Sequence, residues 1–312
     1  MSLPLKPPIE PALARGAKAL PEGEQWAYEP KYDGFRALVF VDGAELYIQS
    51  RGKKPLARYF PELSFPSGRY VLDGEIVIDS SDGHEDFGSL QSRLHPAESR
   101  IKLLSEQIPA RFIAFDLLAL NDESLISRAF EARREALETL ALPGVDLTPL
   151  TRTPADCEPW LATGEGVVAK LTDAAYAPGK RTGMVKVKRV RTIDAVVVGY
   201  RPGIEADTVG SLILGLYQGD TLRPVGHCSG FKATEKHAVL EKLGAYETGE
   251  HGSGDPSRWA TERDLEWVAL RPELVVEVSY DHASGGRIRH GTKLLRWRED
   301  KPPRECLYEQ LT

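Results

Sequence analysis

Glu29-Pro30-Lys31-Tyr32-Asp33-Gly34-Phe35-Arg36 carries more information than any other octapeptide of this 312-residue chain. Two strand-like runs follow it, Phe35–Val41 and Glu45–Gln49, and Asp42-Gly43 between them is a strong two-residue hairpin signal. Lys31 therefore stands in a loop that enters a hairpin. A lysine in such a place is ordinarily a solvated charge, and Asp-Gly beside it is ordinarily a turn. With each residue at roughly 6% frequency, chance supplies K-x-D-G in roughly one chain in fifteen of this length. Alone the motif says little; its company decides.

On the N-terminal side, Pro4, Pro7, Pro8, Pro11 and Pro21 predict an extended arm laid on a surface. On the C-terminal side, Arg69–Asp79, Arg111–Leu118, Gly166–Leu171 and Met184–Arg189 are apolar runs of strand type. Ser127–Leu142 has apolar residues at helical spacing with charges on the other face. From Asp194 the pattern becomes strand–turn–strand: Ala195–Tyr200, Leu212–Tyr217, Leu222–His227, then a short helix over Ala233–Leu243 and a strand over Leu274–Tyr280. Several short strands and one helix in a hundred-odd residues predict a small barrel of the OB type. The expected division is residues 1–191 and 192–312.

Composition bounds the function. At 41% hydrophobic and 28% charged residues, a sizeable core is available and disorder is not expected. Lys and Arg total 40 against 46 Asp and Glu, a net charge of −6. That excludes a protein holding polyanions by bulk positive charge and leaves room for a local basic groove. Cys157, Cys228 and Cys306 are far apart, so neither a disulfide framework nor a CxxC metal site is expected. No apolar run reaches the length of a membrane span, and the first residues lack the apolar segment of a signal peptide. The expectation is a cytoplasmic monomer without a membrane partner.

Further motifs follow the lysine loop in order: Gln49-Ser50-Arg51-Gly52, Val71-Leu72-Asp73-Gly74-Glu75, Phe112-Ile113-Ala114-Phe115-Asp116, Glu165-Gly166-Val167-Val168-Ala169-Lys170, Met184-Val185-Lys186-Val187-Lys188-Arg189 and Arg298-Glu299-Asp300-Lys301. Together they resemble the covalent nucleotidyltransferases, a superfamily of ATP-dependent DNA ligases, RNA ligases and mRNA capping enzymes. Gly226–Phe231 and Glu277–Asp281 are similar to OB segments of bacterial ligases, chiefly the kind fused to end-joining polymerase and nuclease modules and their stand-alone relatives. The resemblance implies an α+β chain. Its parts would be an ATP-grasp-like adenylation (nucleotidyltransferase) domain with antiparallel sheets and a small β-barrel OB-fold domain.

The chemistry of such an enzyme asks for these residue types. Lysine attacks phosphorus only as the neutral amine, and its free pKa is about 10.4, so nearby cations and burial favour the reaction. Alternation places Lys186 and Lys188 on one strand face, where they can supply that positive field. Charge neutralisation of the leaving pyrophosphate suits Mg²⁺ (or Mn²⁺) held by one or two carboxylates and by phosphate oxygens. Glu165 is the better metal candidate, and Glu75 is placed on metal, ribose or both. By resemblance, Lys31 is the nucleophile, Phe115 stacks on adenine, Glu29 recognises adenine, Arg36 meets the ribose, and Arg51 meets sugar or phosphate. Arg298, Asp300 and Lys301 orient pyrophosphate when the OB domain closes about a hinge at Val190–Ile193. Asp116 is left outside the site.

These features predict an ATP-dependent DNA ligase that seals nicks between 3′-hydroxyl and 5′-phosphate ends through a lysyl-AMP and a DNA-adenylate, in DNA repair. Basic stripes over residues 180–191 and 287–304 are the expected DNA contacts, with Arg181, Arg189 and Arg191 foremost. Nicked duplex DNA and end-joining or repair proteins, Ku-like or polymerase, are the expected partners. The alternatives are a capping guanylyltransferase or an RNA ligase of the same superfamily, which R-x-D-K with E-G-V-V disfavours. A catalytically dead nucleic-acid-binding OB protein is a third, against which the intact Lys31 and carboxylates argue.

Overall fold

The computed structural model describes residues 2–80, 83, 85–253, 266–290 and 292–311. It divides into two compact units, Met1–Arg189 and Val190–Thr312.

The first unit is built on two sheets. One has the order Glu45–Ser50, Phe35–Gly43, Gly68–Val77, Arg111–Leu120, Glu123–Ser124, antiparallel along that path, and Asp146–Leu147 adds in parallel beside Ile113 and Ala114. Its central strands read as continuous apolar runs because both faces are covered. Val39, Leu72 and Ile76 face a core shared with Phe60, Leu90 and Leu137, the last on the helix Phe130–Leu140. Leu38, Phe40, Val71 and Leu118 face a smaller core closed by Leu3 and Ala12 of the arm and by Tyr176. The hairpin expected at Asp42-Gly43 is present, with Asp42 paired to Glu45 and Gly43 at φ 64°.

The other sheet has the order Arg15–Gly16, Met184–Lys188, Gly166–Leu171, Trp26–Pro30. Arg15–Gly16 adds in parallel beside Val185 and Lys186, so the proline-rich arm supplies an edge strand. Two features were not expected. Trp26–Pro30 is a strand, too short and too mixed to show a period, and Phe87–Ser92 and Glu98–Gln107 are helices. Within those helices only Leu90, Ile101 and Leu104 are buried, which is too sparse an apolar pattern to read.

The second unit curls around the long strand Arg191–Pro202, which bulges between Val197 and Gly199 and again at Arg201. Val209–Gln218 pairs along one edge of this strand. Val275–Tyr280 and Glu266–Leu270 share the other. Thr221–Cys228 continues beyond Val209–Gln218, and Lys293–Trp297 continues beyond Val275–Tyr280. A bridge between Gly230 and Lys293 then joins the two ends of this series, closing five strands into a ring. Gly230 is required there, because a Cβ would stand 2.3 Å from the Thr292 carbonyl oxygen. The helix Lys236–Gly244 contributes Val239 and Leu243 to the barrel core. The result is an α+β chain of antiparallel sheets with a small barrel, the fold class that the sequence predicts.

Candidate active site

The site begins where the chain leaves one sheet of the first unit for the other. Trp26–Pro30 ends on a proline that has no N–H to pair. The next amide, that of Lys31, donates to the Gly166 carbonyl at 2.9 Å, and the chain joins the other sheet at Phe35. Gly34 passes so close to the Gly68–Val77 strand that a Cβ would lie 2.3 Å from the Ile76 carbonyl oxygen. That approach is the physical reason for glycine in K-x-D-G.

At this crossover lies a cavity of about 260 Å³. Lys31, Arg36, Arg51, Glu75, Phe115 and Lys186 line it, as do Glu29, Lys170 and Arg181, and Pro11, Leu13 and Ala14 of the arm form one wall. The Lys31 ammonium donates to the Tyr32 carbonyl at 3.1 Å. Lys186 is half-buried, and its pKa is lowered by burial first and then by Lys188, Lys31, Arg51 and Arg181. Five cations therefore converge on this end of the unit.

Acidic groups answer them. Glu75 sits opposite Arg36 in the strand register, and burial pushes its carboxyl up to about 7 against the pull of Arg36 and Lys31. Glu29 is buried, with Oε2 2.8 Å from the Lys170 ammonium and Oε1 3.5 Å from Arg134 Nη1. Burial raises its pKa, and Lys170 and Arg134 oppose the shift. Among the described residues Glu29 Oε1 has no hydrogen-bond partner, a buried acceptor on a residue that lines the cavity.

Phe115 carries cations over its ring: the Arg36 guanidinium at 4.5 Å and the Lys170 ammonium at 4.8 Å. Lys170 also donates to the Phe115 carbonyl at 3.0 Å. Asp116 beside it is taken up by a bidentate, buried pair with Arg133 at 2.8 and 2.9 Å.

Seven of the residues expected on the nucleotide or as nucleophile thus share one cavity: Glu29, Lys31, Arg36, Arg51, Glu75, Phe115 and Lys186. Glu165 and Lys188 do not line it. They stand at the paired ends of neighbouring strands, where Lys188 is opposite Gly166 and the Arg189 amide donates to the Glu165 carbonyl at 3.3 Å. Arg181, expected on DNA, also lines the cavity. Arg189 donates to the Thr163 carbonyl at 3.1 Å, and Arg191 of the second unit donates to the Asp281 carbonyl at 3.0 Å.

Arg298, Asp300 and Lys301 belong to the second unit and form a cluster of their own. Arg298 Nη1 lies 2.8 Å from both oxygens of Asp194, and its other edge is on Asp300. Lys301 reaches the same Asp194 at 2.8 Å. The hydrogen bonds from Arg298 hold the Asp300 carboxyl down at about 2.

Sequence reasoning quoted Lys170 in a motif and the arm as a surface segment but gave neither a place in the site. Lys170 had a signal, since a lysine in the otherwise apolar run Gly166–Leu171 needs a buried partner. Pro11, Leu13 and Ala14 had none, because they contribute a wall rather than a reactive group.

Comparison with known proteins adds an independent line. The family model described as ATP dependent DNA ligase domain matches residues 11–156, and that described as ATP dependent DNA ligase C terminal region matches residues 205–301. The chain is 46% identical to DNA ligase C1 of Mycolicibacterium smegmatis, over 100% of this chain and 96% of that one. It is 32% identical to the multifunctional non-homologous end joining protein LigD of the same organism, over 96% of this chain and 39% of LigD. Among solved structures it is similar to the ligase domain of M. tuberculosis LigD, with a TM-score of 0.53, 29% identity, and coverage of 96% of this chain and 98% of that one.

Proposed function

The chain belongs to the ATP-dependent DNA ligases, and we propose that it joins 3′-hydroxyl to 5′-phosphate ends at nicks in duplex DNA by way of an AMP carried on Lys31. The observation that carries this reading is the convergence of Lys31, Arg36, Arg51, Glu75, Phe115 and Lys186 on one cavity.

In the first step the neutral Lys31 amine attacks the α-phosphorus of ATP, the N–P bond forms, the bond to pyrophosphate breaks, and the amine proton leaves. The AMP then passes to the 5′-phosphate of the nick, freeing Lys31. Attack by the 3′-hydroxyl expels AMP and seals the strand. Catalysis of this kind is mainly positioning and charge stabilisation. Lys186, Lys188 and Arg51 supply cations where phosphoryl charge is transferred, and Arg181 joins them from the cavity wall. Phe115 offers the base a platform, the unpartnered Glu29 Oε1 can accept from its exocyclic amine, and Arg36 meets the ribose. Arg298, Asp300 and Lys301 orient pyrophosphate in the first step.

The donors present fit a divalent metal. A carboxyl held at about 7 by burial, that of Glu75, gains from a neighbouring cation. Glu165, which does not line the cavity, would be the second oxygen ligand, since Mg²⁺ or Mn²⁺ takes one or two carboxylates with phosphate oxygens and water. Such a metal would neutralise phosphate charge. Arg181, Arg189 and Arg191 are proposed to contact DNA phosphates. The likeness to the end-joining protein LigD supports a role in DNA repair beside end-joining proteins of Ku or polymerase type. No helix among the described residues is long and apolar enough to cross a membrane, and a cytoplasmic monomer is the form proposed.

Incubation with α-labelled ATP or GTP followed by denaturing electrophoresis tests this reading. ATP should label the chain and GTP should not, and Lys31→Ala should abolish labelling while sealing of a pre-adenylylated nick persists in part. Normal labelling of that variant overturns the assignment, and preferential labelling by GTP points to capping chemistry.

A further inference from the structure

Arg36 is oriented from behind. Asp73, fully buried, accepts from Nε at 2.5 Å and from Nη2 at 2.6 Å. The same carboxylate accepts the Tyr176 hydroxyl at 2.6 Å, and that hydroxyl oxygen accepts the Ala12 amide at 3.0 Å. The Ala12 carbonyl lies 3.4 Å from Arg36 Nη2. These four groups form a closed ring of hydrogen bonds, and Nη1 is the guanidinium nitrogen left without one among the described residues.

Tyr176 is suited to this place. Burial and the charge of Asp73 push its phenol well above the usual tyrosine range, so it keeps its proton and donates. Its segment is also tied to the arm on both sides of Ala12. The Gly179 amide donates to the Pro11 carbonyl at 3.2 Å, and the Leu13 amide donates to the Lys180 carbonyl at 2.8 Å. Tyr176 itself does not line the cavity, whereas Arg36 does.

We propose that Tyr176 is a positioning residue that, through Asp73, presents Arg36 to the sugar of the nucleotide, so that preference for ribose over deoxyribose depends on a side chain outside the cavity. This rests on the reading of Arg36 as the ribose contact. A carboxylate with three side-chain donors has one orientation; without the tyrosine donor it can turn, and the guanidinium turns with it. A misplaced hydrogen bond of this type changes affinity by about three- to tenfold.

The test is Tyr176→Phe in the full chain, which removes the hydroxyl and keeps the ring. Single-turnover labelling of Lys31 is followed with ATP and with 2′-deoxy-ATP, and a melting curve checks folding. The expected result is a rise of about three- to tenfold in KM for ATP, a smaller rise for 2′-deoxy-ATP, and a reduced preference between them. Adding Tyr176→Phe to Arg36→Ala should change nothing further. An unaltered preference, or full additivity with Arg36→Ala, overturns the proposal. Should Tyr176→Phe fail to fold, Asp73→Asn, which keeps the volume, should lose the same preference, and its retention is equally fatal. Absence of labelling in the unsubstituted chain would instead overturn the ligase reading, and a preference untouched by Arg36→Ala would overturn the ribose assignment.

Discussion

Glu75 makes the site sensitive to pH even without substrate. Its carboxyl is raised from an ordinary 4.5 to about 7, burial being the main cause. The folded chain therefore holds this proton more tightly than the unfolded one, and the group lowers stability as pH rises from about 4.5 to about 7. Glu75→Gln should raise the melting temperature at pH 8 in the presence of chelator and leave it nearly unchanged at pH 4; equal effects at both would contradict the burial argument. Lys170 and Glu29 allow a second measurement. Their side chains are 5% and 3% exposed, so removing one partner strands a charge. Lys170→Met should cost about 3–5 kcal/mol in denaturant unfolding, and adding Glu29→Gln should restore much of it. Candidate residues that share the cavity were legible in the sequence because the proposed reaction demands their chemistry. Lys170 was quoted in a motif but given no role, because its pairing with Glu29 is visible only once the two strands are paired.

Strands were legible where both faces are apolar, as in Gly68–Val77 and Arg111–Leu120, and where a turn dipeptide joins them, as at Asp42-Gly43. The helices Phe87–Ser92 and Glu98–Gln107 were not, because tertiary contacts rather than an apolar stripe hold them. Pairings of distant segments were equally hidden, since nothing in Arg15–Gly16 announces a partner near residue 185. The R-x-D-K segment shows the limit from the other side: its residues were found by motif, but their anchor, Asp194, was not. That cluster is charge-balanced, two cations against two carboxylates, and Asp194 is itself held by Gln310 through both backbone groups. If these side chains act on pyrophosphate, Asp300→Ala or Lys301→Ala should cripple lysine adenylylation far more than sealing of a pre-adenylylated nick. Equal losses in the two assays would assign the segment to DNA contact or to stability instead.

With a net charge of −6, the whole molecule should have only weak long-range attraction for DNA, and affinity must come from a few local phosphate contacts. Each neutralised phosphate contributes about −0.9 to the slope of log K against log salt on duplex DNA. Nick binding should weaken steeply between low and physiological salt, and neutralising Arg189 or Arg191 should flatten the slope by about one unit for each real contact. Arg181, on the cavity wall, should affect adenylylation as well. Salt-insensitive nick binding would dismiss these arginines as contacts. The arm has a consequence for folding. Ile9 meets Gln49 across 40 residues, whereas Ala12 meets Tyr176 across 164 and Arg15 pairs with Val185. Contacts between distant segments are the slower to form, so the cavity wall of Pro11, Leu13 and Ala14 should set after the hairpin that follows Lys31, an order that pulsed amide exchange would read.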